Sequence, residues 1–334
     1  MRYESRAFSR PERSSNKRMG LVAIAALSMT FLVFPIEGRS QVYNYQARLK
    51  RPPLEIVKVD SGIYVAKGEW GSNVGFYIAN NEILVIDSKT TKDATKKVIE
   101  EIGKISKNPI TRVIYTHSDP DSFNGRDAYP DKAEIICTPR VLYDCQKNTT
   151  VYLEMNAPLE LYAAWPPSEF IPAMKFEGLL NIRIGRGEVT LLHYGPAHTA
   201  GDAIVWFPAD SVAFIGDLVF VGHEPLIQDQ KGGYSFGLVR VLGILLNMKP
   251  EIKTFIPSHA DPVGREMVEQ TLRSIKEVQS KVTAMFDSGK TLEDVKKAFG
   301  VRESLQEPGT WVWPSLAVMV YRELKDSSLG KRHE

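Results

Sequence analysis

Apolar and polar positions fall into two successive blocks, each made of short strand-like runs followed by a helical pattern. In the first block Leu54–Val59, Ile63–Ala66, Asn73–Ala79 and Ile83–Asp87 are short apolar runs. The turn residues Asp60-Ser61-Gly62 and Asn80-Asn81 divide them, which predicts a β-meander. Between Thr91 and Ile105 the apolar residues Ala94, Val98, Ile99, Ile102 and Ile105 share one helical face. Strands are expected at Arg112–Thr116 and Ala133–Cys137. Pro139 then opens a helix, because its fixed φ suits a first turn whose N–H groups have no partner anyway.

The second block repeats the order. Ile182–Ile184, Val189–Tyr194, Ile204–Pro208 and Val212–Asp217 read as strands, followed by a helix near Phe236–Met248 and a strand Thr254–Pro257. From Arg265 to Gly300 the positions of Met267, Leu272, Ile275, Val278, Val282 and Phe286 are helical, and Gly289 supplies a stop. Pro314 opens a last helix carrying Leu316, Met319, Val320 and Leu324. Two β-rich halves, each followed by helices, imply an α/β fold of four layers, an αββα sandwich with ligand-bearing loops at one edge. Residues 41–53, with Gln, Arg, Lys and two prolines, read as a linker ahead of the first strand. Residues 148–176 are rich in Pro, Met and aromatics without a period; a lid near the site and packing filler fit that pattern equally.

Composition narrows the class. With 43% hydrophobic and 25% charged residues the chain is that of a soluble globular protein, and a net charge of +2 gives no argument for a nucleic-acid partner. The positive excess is concentrated at the N-terminus, where Arg2, Arg6, Arg10, Arg13, Lys17 and Arg18 precede the apolar run Leu21–Phe34. Gly38-Arg39-Ser40 follows as a small-x-small site. Residues 1–40 therefore read as a secretory signal, with an uncleaved anchor as the alternative, and the expected location is periplasmic or secreted. A membrane partner is expected only if that segment stays attached. Export permits a disulfide, and Cys137 and Cys145 are the only cysteines; a bridge and two small buried thiols are both open.

The chemistry gathers in four segments. Thr116-His117-Ser118-Asp119-Pro120-Asp121-Ser122-Phe123-Asn124-Gly125 follows a strand and places one histidine and two carboxylates at alternate positions. Gly195-Pro196-Ala197-His198-Thr199-Ala200-Gly201-Asp202, Ile215-Gly216-Asp217-Leu218 and Pro257-Ser258-His259-Ala260-Asp261-Pro262 supply the rest. Imidazole nitrogen and carboxylate oxygen suit divalent zinc, manganese or iron. Asp119-Pro120-Asp121 also fits an Asx-turn, and Asp217 a turn cap, so each residue has a purely structural alternative. His193 and His223 read as packed or surface histidines.

In order and content these segments resemble the metallo-β-lactamase superfamily, over roughly residues 54–262, with residues 263–330 as a helical C-terminal extension packed on the same domain. The usual first motif there is His-x-His-x-Asp-His. This chain has His117-x-Asp119-x-Asp121-Ser122, so Asp119 and Ser122 replace two histidines. The resemblance implies a first metal site of His117, Asp119 and His198, with Asp217 shared, and a second of Asp121, His259 and Asp217. Ser122 would weaken the second site, so one ion, most simply zinc, is expected rather than two. The extra carboxylate leans toward harder metals such as manganese or iron, and a carboxylate at this position has a precedent in the flavodiiron branch. Asp121 is the expected catalytic group, orienting water or carrying a proton, and Asp87 and Asp202 are expected to hold ligands from behind. The implied activity is a metal-dependent hydrolase using a metal-activated water on a small-molecule ester, lactam or phosphoester-type substrate. The competing expectation, motivated by the two lost histidines, is a degenerate member that binds a ligand or partner without turnover.

Overall fold

The computed structural model describes residues 41–44, 52–145, 174–301 and 310–328. The signal-like segment 1–40 and most of the aperiodic stretch 148–176 lie outside the described residues. No helix among the described residues is long and apolar enough to cross a membrane.

One sheet has seven strands in the order β2-β3-β4-β5-β6-β7-β8. They are β2 (Glu55–Asp60), β3 (Ile63–Lys67), β4 (Val74–Ile78), β5 (Ile83–Ile86), β6 (Ile110–Ile114), β7 (Glu134–Cys137) and β8 (Met174–Lys175). The first four form the expected antiparallel meander, and β5 to β8 run parallel. Helix α1 (Lys92–Ile105) makes the β5–β6 crossover; Thr91 caps its start by accepting from Ala94 N. The second sheet has six strands, β14-β13-β12-β11-β10-β9. These are β9 (Leu179–Ile184), β10 (Gly187–Leu192), β11 (Ile204–Phe207), β12 (Val212–Gly216), β13 (Thr254–Pro257) and β14 (Val263–Gly264). Within it only β12 and β13 pair in parallel.

Side-chain alternation assigns each strand to two cores at once. Ile63, Val65, Leu84, Ile86 and Ile114 from one sheet meet Val189, Leu191, Val205, Phe207, Val212 and Phe214 from the other. Their neighbours point outward: Ile83, Val85, Val113 and Tyr115 pack with Val98 and Ile102 of α1. On the far side Ile204, Trp206, Ala213, Ile215 and Phe255 pack under the remaining helices. Those include α4 (Ser235–Leu246), α5 (Arg265–Asp287), α6 (Leu292–Ala298) and α7 (Leu316–Ser328); α2 (Pro120–Phe123) and α3 (from residue 139) lie earlier in the chain. The result is the αββα sandwich with C-terminal helices that the patterning implies.

Two expectations change and one open alternative closes. The presumed linker contains a strand, β1 (Gln41–Asn44), paired antiparallel with β15 (Thr310–Trp313). A partner so far along the chain leaves no local signature. The helical stretch after Arg265 is two helices: Gly289, at φ 75°, ends one run, and a Thr291/Asp294 capping box starts the next. Cys137 and Cys145 are free, and both are buried in the core that covers α1.

Candidate metal centre

The ends of β6, β12 and β13 and the loop after β10 converge at one edge of the sandwich. Parallel pairing sets Gly216 of β12 beside Pro257 of β13, and Ser258 N donates to Gly216 O at 3.0 Å. Asp217, just after Gly216, and His259, just after Ser258, therefore leave the sheet side by side. The loop carrying His198 is tied to the other sheet by Ala203 N donating to Thr116 O at 2.7 Å. Gly216 has φ 56°, a left-handed conformation that a side chain would strain, and it lies against Thr116 and His117.

His117 is oriented through a relay. Asp87 is buried at φ 64° and accepts from Thr116 N and Thr116 Oγ1, both at 2.7 Å. With its proton committed there, Thr116 Oγ1 accepts from His117 Nδ1 at 2.8 Å. Nε2 then faces the site. Burial raises the Asp87 pKa to about 6, against the pull of His117 and the Thr116 bonds. His198 is fixed in the same sense, its Nδ1 donating to Leu226 O at 2.8 Å, so its Nε2 also faces inward. Asp202 holds the same loop by accepting from Thr199 N and Oγ1, while His193 Nδ1 contacts Asp202 O and His223 is exposed.

These atoms meet closely. His117 Nε2 and His198 Nε2 lie 3.6 and 3.7 Å from Asp217 Oδ2, and His198 Nε2 lies 3.3 Å from Asp119 Oδ2. His259 Nε2 stands 3.5 Å from Asp217 Oδ1 and 3.3 Å from Asp121 Oδ2. His117, Asp119, His198 and Asp217 each bring a ligand atom within 4.8 Å of the others, and all four are buried. Asp121 and His259 pair at the rim and keep 20% and 18% side-chain exposure. Ser122, which the sequence gives as a poor ligand, sits on α2 with its hydroxyl 2.6 Å from Ser72 Oγ and 3.5 Å from His117 Nε2.

The donor set fits a divalent cation. Asp217 Oδ1 is buried without a hydrogen-bond partner, and the Asp217 carboxylate faces three imidazole nitrogens, two of them on rings whose Nδ1 is held by Thr116 Oγ1 or Leu226 O. Acceptors gathered in this way need positive charge among them. The electrostatics point the same way. Burial would lower the His117 pKa, yet Asp217, Asp119 and Asp87 hold it up at about 10. Burial would raise the Asp217 carboxyl, but His259 and His117 keep it well below the usual carboxylate range.

Several residues around the site carry no local signal in the sequence. Lys231 Nζ donates to Asp119 Oδ1 at 2.7 Å and to Ser118 O at 3.0 Å, and Gln228 Nε2 donates to Asp119 Oδ2 at 2.8 Å. Burial would raise the Asp119 carboxyl; Lys231 and His198 outweigh it and hold the group far below its ordinary value. Asn73 pins the His259 loop, its N donating to Ser258 O and its Nδ2 to Pro257 O and Ala260 O. Lys89, fully buried, donates to the carbonyls of Ala66, Gly68 and Ser72; burial brings its pKa down to about 7 despite Asp121 and Glu69.

A four-layer sandwich with histidines and aspartates at adjoining strand ends defines an α/β protein with a candidate metal site at one edge. Residues 68–259 match the model of the metallo-beta-lactamase superfamily, and the chain belongs to that family. It is 21% identical over 240 residues to the "Metallo-beta-lactamase type 2" of Elizabethkingia meningoseptica, covering 70% of this chain and 89% of the relative. It is 24% identical over 226 residues to the "Linear primary-alkylsulfatase" of Pseudomonas sp. (strain ATCC 19151), covering 58% of this chain but 43% of that protein. Among solved structures, a metallo-beta-lactamase from Pontibacter korlensis superposes with a TM-score of 0.53 at 19% identity, covering 67% of this chain and 99% of that one. One from Erythrobacter litoralis gives 0.55 at 16% identity, covering 68% and 100%. Identities this low support the shared fold.

Proposed function

We propose that the chain is an exported metal-dependent hydrolase that cleaves a small-molecule ester, lactam, phosphoester or sulfate ester. The observation that carries this reading is the convergence of His117, Asp119, His198 and Asp217 within 4.8 Å, all buried. A donor set of imidazoles and carboxylates suits zinc, with manganese and iron as the harder alternatives. One ion rather than two is favoured, because the rim pair Asp121 and His259 has Ser122 where a third imidazole would stand. A divalent ion there supplies Lewis acidity and lowers the pKa of water into the neutral range.

The protein's own groups divide the remaining work. Substrate approaches from the rim, where Asp121 and His259 keep their exposure. Phe220 stacks on His259 with ring centroids 5.9 Å apart and leans on His198 at 6.1 Å, giving the approach an apolar wall. Asp121 orients the attacking water, takes its proton on a carboxylate oxygen and returns it to the leaving group. The relatives named as a β-lactamase and an alkylsulfatase support a hydrolytic bond class without choosing among its members. Export is supported by the basic head, apolar run and small-x-small site of residues 1–40.

A second reading, a binding protein without turnover, is favoured by one observation: Asp119 and Ser122 stand where the family motif has histidines. A panel of lactam, ester, phosphodiester and alkyl sulfate substrates decides between them, run on chelator-treated protein before and after adding zinc. Zinc-restored turnover that His198→Ala abolishes is expected. Metal uptake with no turnover on any substrate class favours the binding protein.

A further inference from the structure

The surroundings of Asp119 are unlike those of an imidazole ligand. Its Oδ1 accepts from Lys231 Nζ at 2.7 Å, and its Oδ2 accepts from Gln228 Nε2 at 2.8 Å while lying 3.3 Å from His198 Nε2. Lys231 is 2% and Asp119 6% exposed, so this is a buried ion pair. Both donors come from the short turn 228–231, which is tied to the ligand loop. Gln228 N donates to His198 O and Ala200 N to Lys231 O, each at 2.9 Å.

Burying two charges costs several kcal/mol of desolvation per ion, and apolar replacements of such pairs are often no less stable. Stability alone therefore does not account for a lysine here. The charge count of the site does. Replacing a neutral imidazole by a carboxylate adds one negative charge to a set that already holds Asp217, and the Lys231 ammonium removes it again.

We infer that Lys231 and Gln228 are positioning residues that make Asp119 the charge equivalent of a neutral imidazole ligand and aim its Oδ2 into the site. Asp119 and Lys231 are then one exchangeable unit. The inference rests on the metal reading above.

The test is zinc titration, by calorimetry, into chelator-treated full-length protein. Wild type, Asp119→His, Asp119→His/Lys231→Met and Gln228→Met are compared. Asp119→His alone takes the Asp119 carboxylate away from the Lys231 ammonium beside the incoming cation and is expected to bind zinc at least ~10-fold more weakly than wild type. Adding Lys231→Met removes that ammonium and is expected to recover most of the loss. Gln228→Met keeps both charges, removes only the donor to Oδ2, and is expected to weaken zinc binding ~10-fold with unchanged circular dichroism. Should Asp119→His fail to fold, the Gln228→Met result decides. Equal zinc affinity for Asp119→His with and without Lys231→Met, or wild-type affinity in Gln228→Met, overturns the inference. Wild-type protein that takes up none of zinc, manganese and iron instead overturns the metal reading itself, and the unit with it.

Discussion

At the scale of single residues, the site depends on which ring atom of each histidine carries the proton. Asp87 settles this for His117 through Thr116. In Asp87→Asn the one amide oxygen can still accept from Thr116 N, but the amide nitrogen would donate to Thr116 Oγ1. The Thr116 hydroxyl then turns its hydrogen to His117 Nδ1, and the ring proton moves to the Nε2 that faces the site. Zinc affinity is expected to fall 10- to 100-fold with the fold retained, measured by competition against a chelator of known affinity. An unchanged affinity would remove the relay from the account. His117, Asp119, Asp121, His198, Asp217 and His259 stand out in the sequence because they occupy the positions of the family's ligand segments, each at a strand end followed by a turn. Lys231 and Gln228 were not legible: a polar turn more than a hundred residues from Asp119 shows its purpose only once the loops have met.

At the scale of elements, alternation within strands and the 3.6-residue spacing of α1 and α5 carry most of the architecture, since each side chain has a definite layer to enter. Pairing between distant segments, as in β1 with β15, is not encoded locally. Neither is the tie between α7 and the loop after β12, where Glu224 Oε2 accepts from Leu316 N at 3.1 Å. Burial raises the Glu224 pKa from 4.5 to about 7, partly offset by that bond. Because the folded-state value lies above the unfolded one, the folded protein binds more protons between these limits. Its contribution is fully present below about pH 4.5 and is lost as pH rises through about 7. Glu224→Gln keeps an acceptor for Leu316 N without titrating. Denaturation curves are expected to match wild type near pH 4.5 and to show the variant more stable at pH 8; a constant difference across that range would contradict the assignment.

At the scale of the whole molecule, the two sheets share the site: β6 delivers His117 and Asp119, while β12 and β13 deliver Asp217 and His259. Their separation is set by close packing such as that at Gly75, where an added Cβ would run into the Phe214 ring. Gly75→Val is expected to cost about 1–3 kcal/mol by overpacking. It should also weaken zinc binding, because spreading the sheets moves His117 away from Asp217. Gly103→Ala, on α1 with nothing within 4 Å of the new Cβ, serves as a control. It is expected to add up to about 1 kcal/mol of stability with zinc affinity unchanged. Loss of stability in Gly75→Val without loss of zinc affinity would show that the sheets do not set the site.

The proposed divalent cation would be held by four buried side chains, His117, Asp119, His198 and Asp217. Elemental analysis of purified, dialysed protein measures it directly, on wild type and on Asp217→Ala. About one divalent ion per chain in wild type, and a small fraction of that in the variant, is the predicted result. No stoichiometric metal in wild type, or equal metal in both proteins, would contradict it.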